Sequence, residues 1–559
     1  MPKLKIIVVT ILALALFWAL GANAQTVLNG NVPAGFLQAG YIEAATLNGL
    51  GGGTLTMNGI TMIVPANTVV QFPANTLTWA QLFNNLGNLN LVPVYDPALS
   101  STQVNLTITA GATGLAMADN PGILGYTAAA PSGLSPEMPF NAIVQGNVDV
   151  QNSTGNGAGA YIIGLILPIN QDVGNGGVGF INCIDYSKGR FEVGGTPSTL
   201  PGGACGPTPT GTVIELNDPT GRYGFAHSPD PRWSVDPDNP TVSSFNGYPM
   251  GISKVAPPAV DPDRPWSNRP LNTPVVDPFL QPGAPLIAFT MPPSPAPGAT
   301  TPDPWKQAPF MVGDYVLYTG VLYSNNPKAF LNPLLPINQQ TYISANTVTS
   351  GNLMIYTSPG RPGRVGPAYI QISGRMVIGN GGDPVIVPPN PGGAAGILGG
   401  TIPNLDPKLN IDIRGYCTDP TALVDIYALD VSPAGNVSTR LLGTVIPDSG
   451  VAGTPAPKGT AGRFRLQVGK GDFLPTTRAY AAITEHGTVQ LPPQAGNITP
   501  TNGLVAGQYQ APMFGFIFPD PPQGFPAIPT NFNTMPFLFL GEGGNPSAGP
   551  LTPFPPFQP

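Results

Sequence analysis

Proline and glycine set the limits on what this chain can become. Each occurs 71 times in 559 residues, so together they make up about a quarter of it. An interior Pro costs a helix ~3 kcal/mol and an interior Gly ~1 kcal/mol, which excludes a helical bundle. Wholesale disorder is excluded on other grounds, because disorder goes with low hydrophobicity and high charge. Hydrophobic residues are 42% of this chain and charged residues only 9%, against ~25% charged in an ordinary soluble domain. The composition predicts an all-β, turn-rich, multidomain chain, long enough for roughly three or four domains of ~150 residues.

The first 24 residues read as a cleavable secretory signal. Lys3 and Lys5 precede the apolar run Ile6 to Leu20, and Gly21, Ala22, Asn23 and Ala24 supply the small residues of a cleavage step before Gln25. The run is shorter than the ~20 apolar residues a spanning helix needs, and no later stretch reaches that length. The sequence thus predicts a secreted protein, extracellular or at the cell surface, with no transmembrane segment in the mature chain.

Charge is distributed unevenly. From Gln25 to Ser187 there is no Lys or Arg, while seven acidic residues occur there, Glu43, Asp96, Asp119, Glu137, Asp149, Asp172 and Asp185. After Arg478 there is again no Lys or Arg. Gripping a phosphate backbone requires cations that displace condensed counterions, so nucleic acid is excluded as a partner of either end. A surface kept soluble by Asn, Thr, Gln and Ser lets molecules approach with little charge repulsion, which suits self-assembly or adhesion to a cell-surface or polysaccharide partner.

Strand signals recur along the chain. Thr54 to Met57, the pair Asn58-Gly59 and Ile60 to Val64 spell a hairpin with a type I′ turn, since Asn and Gly both tolerate positive φ. Gly177 to Asp185, Arg190 to Val193 and Thr212 to Leu216 read as a further strand group, and Val312 to Tyr323 and Gln340 to Val348 as another. A small barrel is the economical use of these runs, because closure removes exposed edges. From Gly251 to Phe310 there are 16 prolines in 60 residues, so no central strand can cross it, and it reads as an extended linker or a belt. Residues 511–559 hold 13 prolines and 9 phenylalanines, a tail suited to lying in a groove of this protein or of a partner.

No serine-hydrolase elbow, zinc-protease helix motif, P-loop or Cys-x-x-Cys pair occurs, so no catalytic residue is assigned and an enzyme is disfavoured. Of three cysteines, Cys183 and Cys205 have the spacing of a disulfide worth ~3 kcal/mol in a secreted chain. Cys417 reads as a buried free thiol. The densest polar segment is Asn217 to Asn246. Within it Tyr223, His227, Arg232 and Trp233 are candidate sugar-binding residues, and Asp236, Asp238 and Asn239 offer hard oxygen ligands to calcium, the only cofactor the chain brings to mind. Plain turn chemistry accounts for the same Asp, Asn and Pro residues.

At Trp233-Ser-Val-Asp-Pro-Asp-Asn-Pro-Thr241, with Gly247-Tyr-Pro-Met250, Asn268-Arg-Pro270 and Arg414-Gly-Tyr-Cys-Thr-Asp-Pro420, the chain resembles a family of large secreted β-rich proteins from bacteria and filamentous fungi. The resemblance implies no activity, so no functional residue follows from it. Gly40 to Val64 and Val312 to Leu322 are similar to parts of extracellular repeats with an OB-like barrel, which implies that 39–72 and 312–348 belong to one barrel. The segment around Arg463 to Val468, where Phe464, Leu466 and Val468 alternate with polar residues, resembles an immunoglobulin-like sandwich.

The layout expected from these readings is a signal at 1–24, an N-terminal β region with OB-like hairpins at 25–135 and a second β region at 136–250. A Pro-rich linker at 251–310, a barrel-like region at 311–403, an immunoglobulin-like sandwich at 404–490 and a Pro/Phe-rich tail at 491–559 follow. The function expected is that of a non-catalytic structural or adhesive protein of the matrix or cell surface. A carbohydrate-binding or carbohydrate-active protein is the alternative, since two carboxylates in a cleft leave no trace in sequence.

Overall fold

The computed structural model describes the chain in segments, principally 34–84, 112–119, 140–149, 160–169, 176–269, 287–292, 302–324, 341–357, 366–372, 411–447, 462–468, 477–484 and 506–511, without 67, 74, 75, 237, 238 and 432–436. The secretory signal, Asp238 and most of the Pro/Phe-rich tail lie outside the described residues. What is described is all-β. Strands dominate, and the one α-helix, Trp79–Asn84, is a short piece.

The first sheet has eight strands. Along its main path Ala34–Tyr41 pairs with Asn141–Asp149, then come Ala160–Ile169, Ile60–Val64, Gly53–Met57 and Ala44–Leu47. Asn58 (φ 52°) and Gly59 (φ 70°) make the expected turn between Gly53–Met57 and Ile60–Val64. The tip of this hairpin reaches back to the first strand, where Asn58 Nδ2 donates to the Ala39 carbonyl at 3.1 Å and to Gln38 Oε1 at 3.2 Å. Gly53 has to be Gly, because a Cβ there would overlap the Thr46 carbonyl oxygen. The inner positions Leu55, Met57, Met62, Val64, Val144 and Ile166 are buried together with Trp79.

The second sheet has six strands, in the order Thr212–Leu216, Arg190–Val193, Gly176–Asp185, Tyr315–Ser324, Thr341–Ser350 and Val242–Ser244. Thr212–Leu216 also pairs in parallel with Thr341–Ser350, so five of the strands close into a ring. Alternate residues of these strands face two different cores. Ile214, Leu216, Val316, Ile343 and Ala345 join one. Val213, Val321, Tyr323 and Tyr342 join the core of the first sheet. Thr341–Ser350 is packed on both faces, so even its polar residues Thr341, Ser344, Asn346 and Ser350 are buried. This arrangement corrects the single-barrel expectation: 39–72 and 312–348 lie in different sheets, the first extended by Asn141–Asp149 and Ala160–Ile169 and the second by Gly176–Asp185 and Thr212–Leu216.

Much of the described Pro-rich stretch packs on the second sheet as a belt, while Ile287–Thr290 within it forms a strand paired in parallel with Leu353–Tyr356. Ile252, Trp266, Ala308 and Phe310 enter the first-named core. Pro brings no N–H, so the belt's short backbone ladders are supplemented by side chains that donate to its carbonyls. Asn268 Nδ2 donates to the carbonyls of Asp303 (2.9 Å), Lys306 (3.1 Å) and Gln307 (3.1 Å). The Tyr248 hydroxyl donates to Lys306 O (2.7 Å) and the Tyr369 hydroxyl to Pro304 O (3.0 Å).

A third core lies between the sheet formed by Ile370–Ile372, Ile411–Cys417 and Arg463–Val468 and the sheet formed by Val437–Val445, Val424–Val431, Thr477–Thr484 and Gln508–Ala511. Phe464 is buried and Arg463 and Arg465 are exposed, as the period of two requires. Two of its strands, Ile370–Ile372 and Gln508–Ala511, come from outside 404–490. Cys417 is free and fully buried in this core, and burial pushes its thiol well up, so it is held neutral.

Candidate functional site

The polar segment Asn217 to Asn246 begins where Thr212–Leu216 leaves the ring. That strand carries Glu215, which lies on the same side as Val213 and is 1% exposed. A buried carboxylate is tolerated only when paired and hydrogen-bonded. Arg190 stands directly opposite Glu215 in the register and closes an ion pair with Oε1. His227 reaches Oε2 through Nε2 at 2.9 Å, and the Tyr342 ring lies edge-on against the imidazole at 5.7 Å. The loop that carries His227 is held by two backbone bonds between Asp218 and His227, of 2.6 and 3.0 Å.

The next turn is built around Asp230. Its side chain accepts from the Arg232 N–H at 3.0 Å, capping the short helical turn Pro231–Trp233. The Arg232 guanidinium folds back on the same carboxylate, with Nε at 3.0 Å and Nη2 at 2.7 Å, and its Nη1 donates to the Thr113 carbonyl at 2.6 Å. Trp233 stacks on Phe140 at 5.1 Å and meets Phe72 edge-on at 5.2 Å. The segment is therefore the joint between the first and second sheets. Burying an aromatic of this size is worth about 1.5–3 kcal/mol.

All four candidate sugar-binding residues are enclosed, Trp233 in this joint and Tyr223 in the core of the second sheet and belt. Tyr223 is 1% exposed, His227 3%, Arg232 2% and Trp233 0%. Burial pushes the Tyr223 phenol up to about 12, so it stays neutral across the ordinary pH range. None of the four offers a ring face or donor to a polymer in solution. For the calcium candidates, Asn239 donates its N–H to Asp236 Oδ1 at 3.2 Å and its Nδ2 to Oδ2 at 2.7 Å. That is a closed Asp-Asn turn. Cys183 and Cys205 are joined in a disulfide. Glu192 lies close to both sulfurs, but bonded sulfurs are not thiolates, and the three do not form a metal centre in this state.

The residues that sequence reasoning missed are mostly arginines and their partners. Arg264, fully buried, donates Nη1 to Asp261 Oδ2 (2.8 Å), Nε to Gln307 Oε1 (2.7 Å) and Nη2 to the Arg222 carbonyl (2.9 Å). Arg269 grips Asp314 with two bonds of 2.8 and 2.6 Å. Burial by itself raises the Asp261 carboxyl, but Arg264 and the N–H groups of Lys254 and Asp263 outweigh it and hold it below the usual range. The available signal was the isolated charge inside an apolar strand, Glu215 in Val-Ile-Glu-Leu and Arg190 before Phe-Glu-Val, which predicts a buried pair. His227 and Glu215 have the composition of a general-base dyad. The imidazole is buried against Tyr342, with Nε2 2.9 Å from Glu215 Oε2, so the pair is enclosed between strands and does not open on a cleft. Family models, curated proteins and solved structures contain no match to this chain, so its functional reading stands on these contacts alone.

Proposed function

We propose that this protein is a secreted, non-catalytic structural or adhesive component of the extracellular matrix or cell surface. The observation that carries the reading is where its charges go. Arg190, Arg232, Arg264 and Arg269 are each closed on a buried carboxylate, of Glu215, Asp230, Asp261 and Asp314 respectively. Groups that would bind or transform a ligand are thereby used to hold layers and belt together. The disulfide between Cys183 and Cys205 supports an oxidising compartment, and the cation-free stretch from Gln25 to Ser187 supports partners other than nucleic acid.

Fractionating a culture of the source cells and probing medium, envelope and cytosol with an antibody tests the reading. The protein is expected in the medium or at the surface, with the disulfide formed. Recovery from the cytosol with reduced cysteines would refute it.

A further inference from the structure

The eight strands of the first sheet contain a single charged residue, Asp149, the last of its strand. A sheet face turned to water ordinarily carries charged side chains at alternate positions. Here three adjacent strands present Thr46, then Thr54 and Thr56, then Thr61 and Ile63. Register places Thr46 opposite Thr54, Thr56 opposite Thr61 and Thr54 opposite Ile63. Thr46, Thr61 and Ile63 are exposed and the other two partly so.

The hydroxyls are tied in cross-strand pairs, Thr46 to Thr54 at 2.6 Å and Thr56 to Thr61 at 3.1 Å. A hydroxyl has one donor and two acceptor positions, so each pair keeps donor and acceptor capacity for a ligand. β-Branched side chains have few rotamers to lose, and the strands space them at about 6.8 Å along and about 4.8 Å across the sheet. Tyr41, 42% exposed, adds an aromatic ring at the end of the opposite edge strand.

We infer that this face binds a neutral polysaccharide, an inference that rests on the extracellular reading above. Its paired hydroxyls match sugar hydroxyls, while the threonine methyls, Ile63 and Tyr41 match the C–H faces of sugar rings. No cation stands among these strands to hold a polyanion, and the one carboxylate beside them, Glu43, is already engaged by the Gly59 N–H at 3.1 and 3.2 Å. The sugar-binding role read onto Tyr223, His227, Arg232 and Trp233, all buried, is thus assigned to a surface that is open.

The test is retention of the purified full-length protein on insoluble cellulose, chitin and β-1,3-glucan, with alginate as the charged control. Retention on at least one neutral polymer is expected, unchanged between about 0.1 M and about 1 M NaCl. It should fall by about tenfold, an affinity loss of about 1.4 kcal/mol, in the double variant Thr61→Lys/Ile63→Lys at an unaltered melting temperature. Should that variant misfold, Tyr41→Ala and Thr46→Lys, in the two edge strands, take its place. Absence of retention on all three neutral polymers, retention on alginate alone, or equal retention by the folded variants would overturn the inference. So would self-association in sedimentation that the variants abolish while no polymer is bound. Because this readout needs only purified protein, its failure leaves the fractionation result intact.

Discussion

The first and second sheets handle charge in opposite ways. In the first, the strands are almost free of it, and threonine faces the water. In the second, Arg190, Glu192 and Glu215 sit on adjacent strands and are largely buried. The difference follows from what each sheet must hold. The first has one open face, its other face sharing a core with Val213, Val321, Tyr323 and Tyr342 of the second sheet, so neutral side chains suffice outside. The second is packed on both faces, so its charges are closed on one another or on backbone, Arg190 on Glu215 and Glu192 on the N–H groups of Thr210 and Gly211, while Arg264 and Arg269 tie the belt. An arginine with five N–H groups is suited to that task, provided its charge is matched.

Several measurements would break or sharpen this contrast. The largest effect is expected for Arg264→Ala, which leaves Asp261 buried without its cation. Chemical denaturation should show a loss of about 3–5 kcal/mol, and Arg264→Met combined with Asp261→Asn should recover part of it. A loss under about 1 kcal/mol would mean that the belt does not depend on its internal charges. Next comes the disulfide. Replacing Cys183 and Cys205 together by Ala opens a loop of 22 residues' separation and should cost about 3 kcal/mol, read as a lower melting temperature in the variant.

Acid should act on the second sheet and its belt before the first. The Asp261 carboxyl is held below its ordinary value, so its contribution is complete above pH ~3.8 and is lost as pH falls further toward the folded-state value. Comparing wild type with Asp261→Asn, the stability difference should shrink steadily in that acid range. On the alkaline side the raised Tyr223 works the other way. The unfolded phenol ionises near pH 10 while the folded one resists to about 12, so stability should decline across that window, less so in Tyr223→Phe. The smallest effect is on the open face. Thr61→Lys should change stability by under about 0.5 kcal/mol, and a larger loss would show that the threonine array is structural.

Local chemistry was readable wherever neighbours in sequence decide the conformation. Asn58-Gly59 marked its hairpin, and the alternation of Arg463 to Val468 marked a strand with one wet face. The spacing of Cys183 and Cys205 allowed the bridge that the structure contains. Reading failed where partners are remote. Trp233 read as a candidate sugar-binding residue in a polar run, yet Phe72 and Phe140 enclose it. The five-stranded ring depends on the parallel pairing of Thr212–Leu216 with Thr341–Ser350, which no turn or spacing announces. The belt was legible as proline and illegible as contact, since the carbonyl partners of Asn268 and Arg264 are set by where distant loops come to rest.

Composition alone decided that this chain would build sheets and not bundles, and that its amino-terminal region would meet its surroundings without cations. Backbone restrictions and formal charge belong to residues one at a time, so they survive in a bare string of letters. Which polar side chains would be enclosed and which left open was decided only by tertiary structure. Burial is a property of pairs and layers: Thr61 and Trp233 differ in fate because one sheet has a free face and the other has neighbours on both.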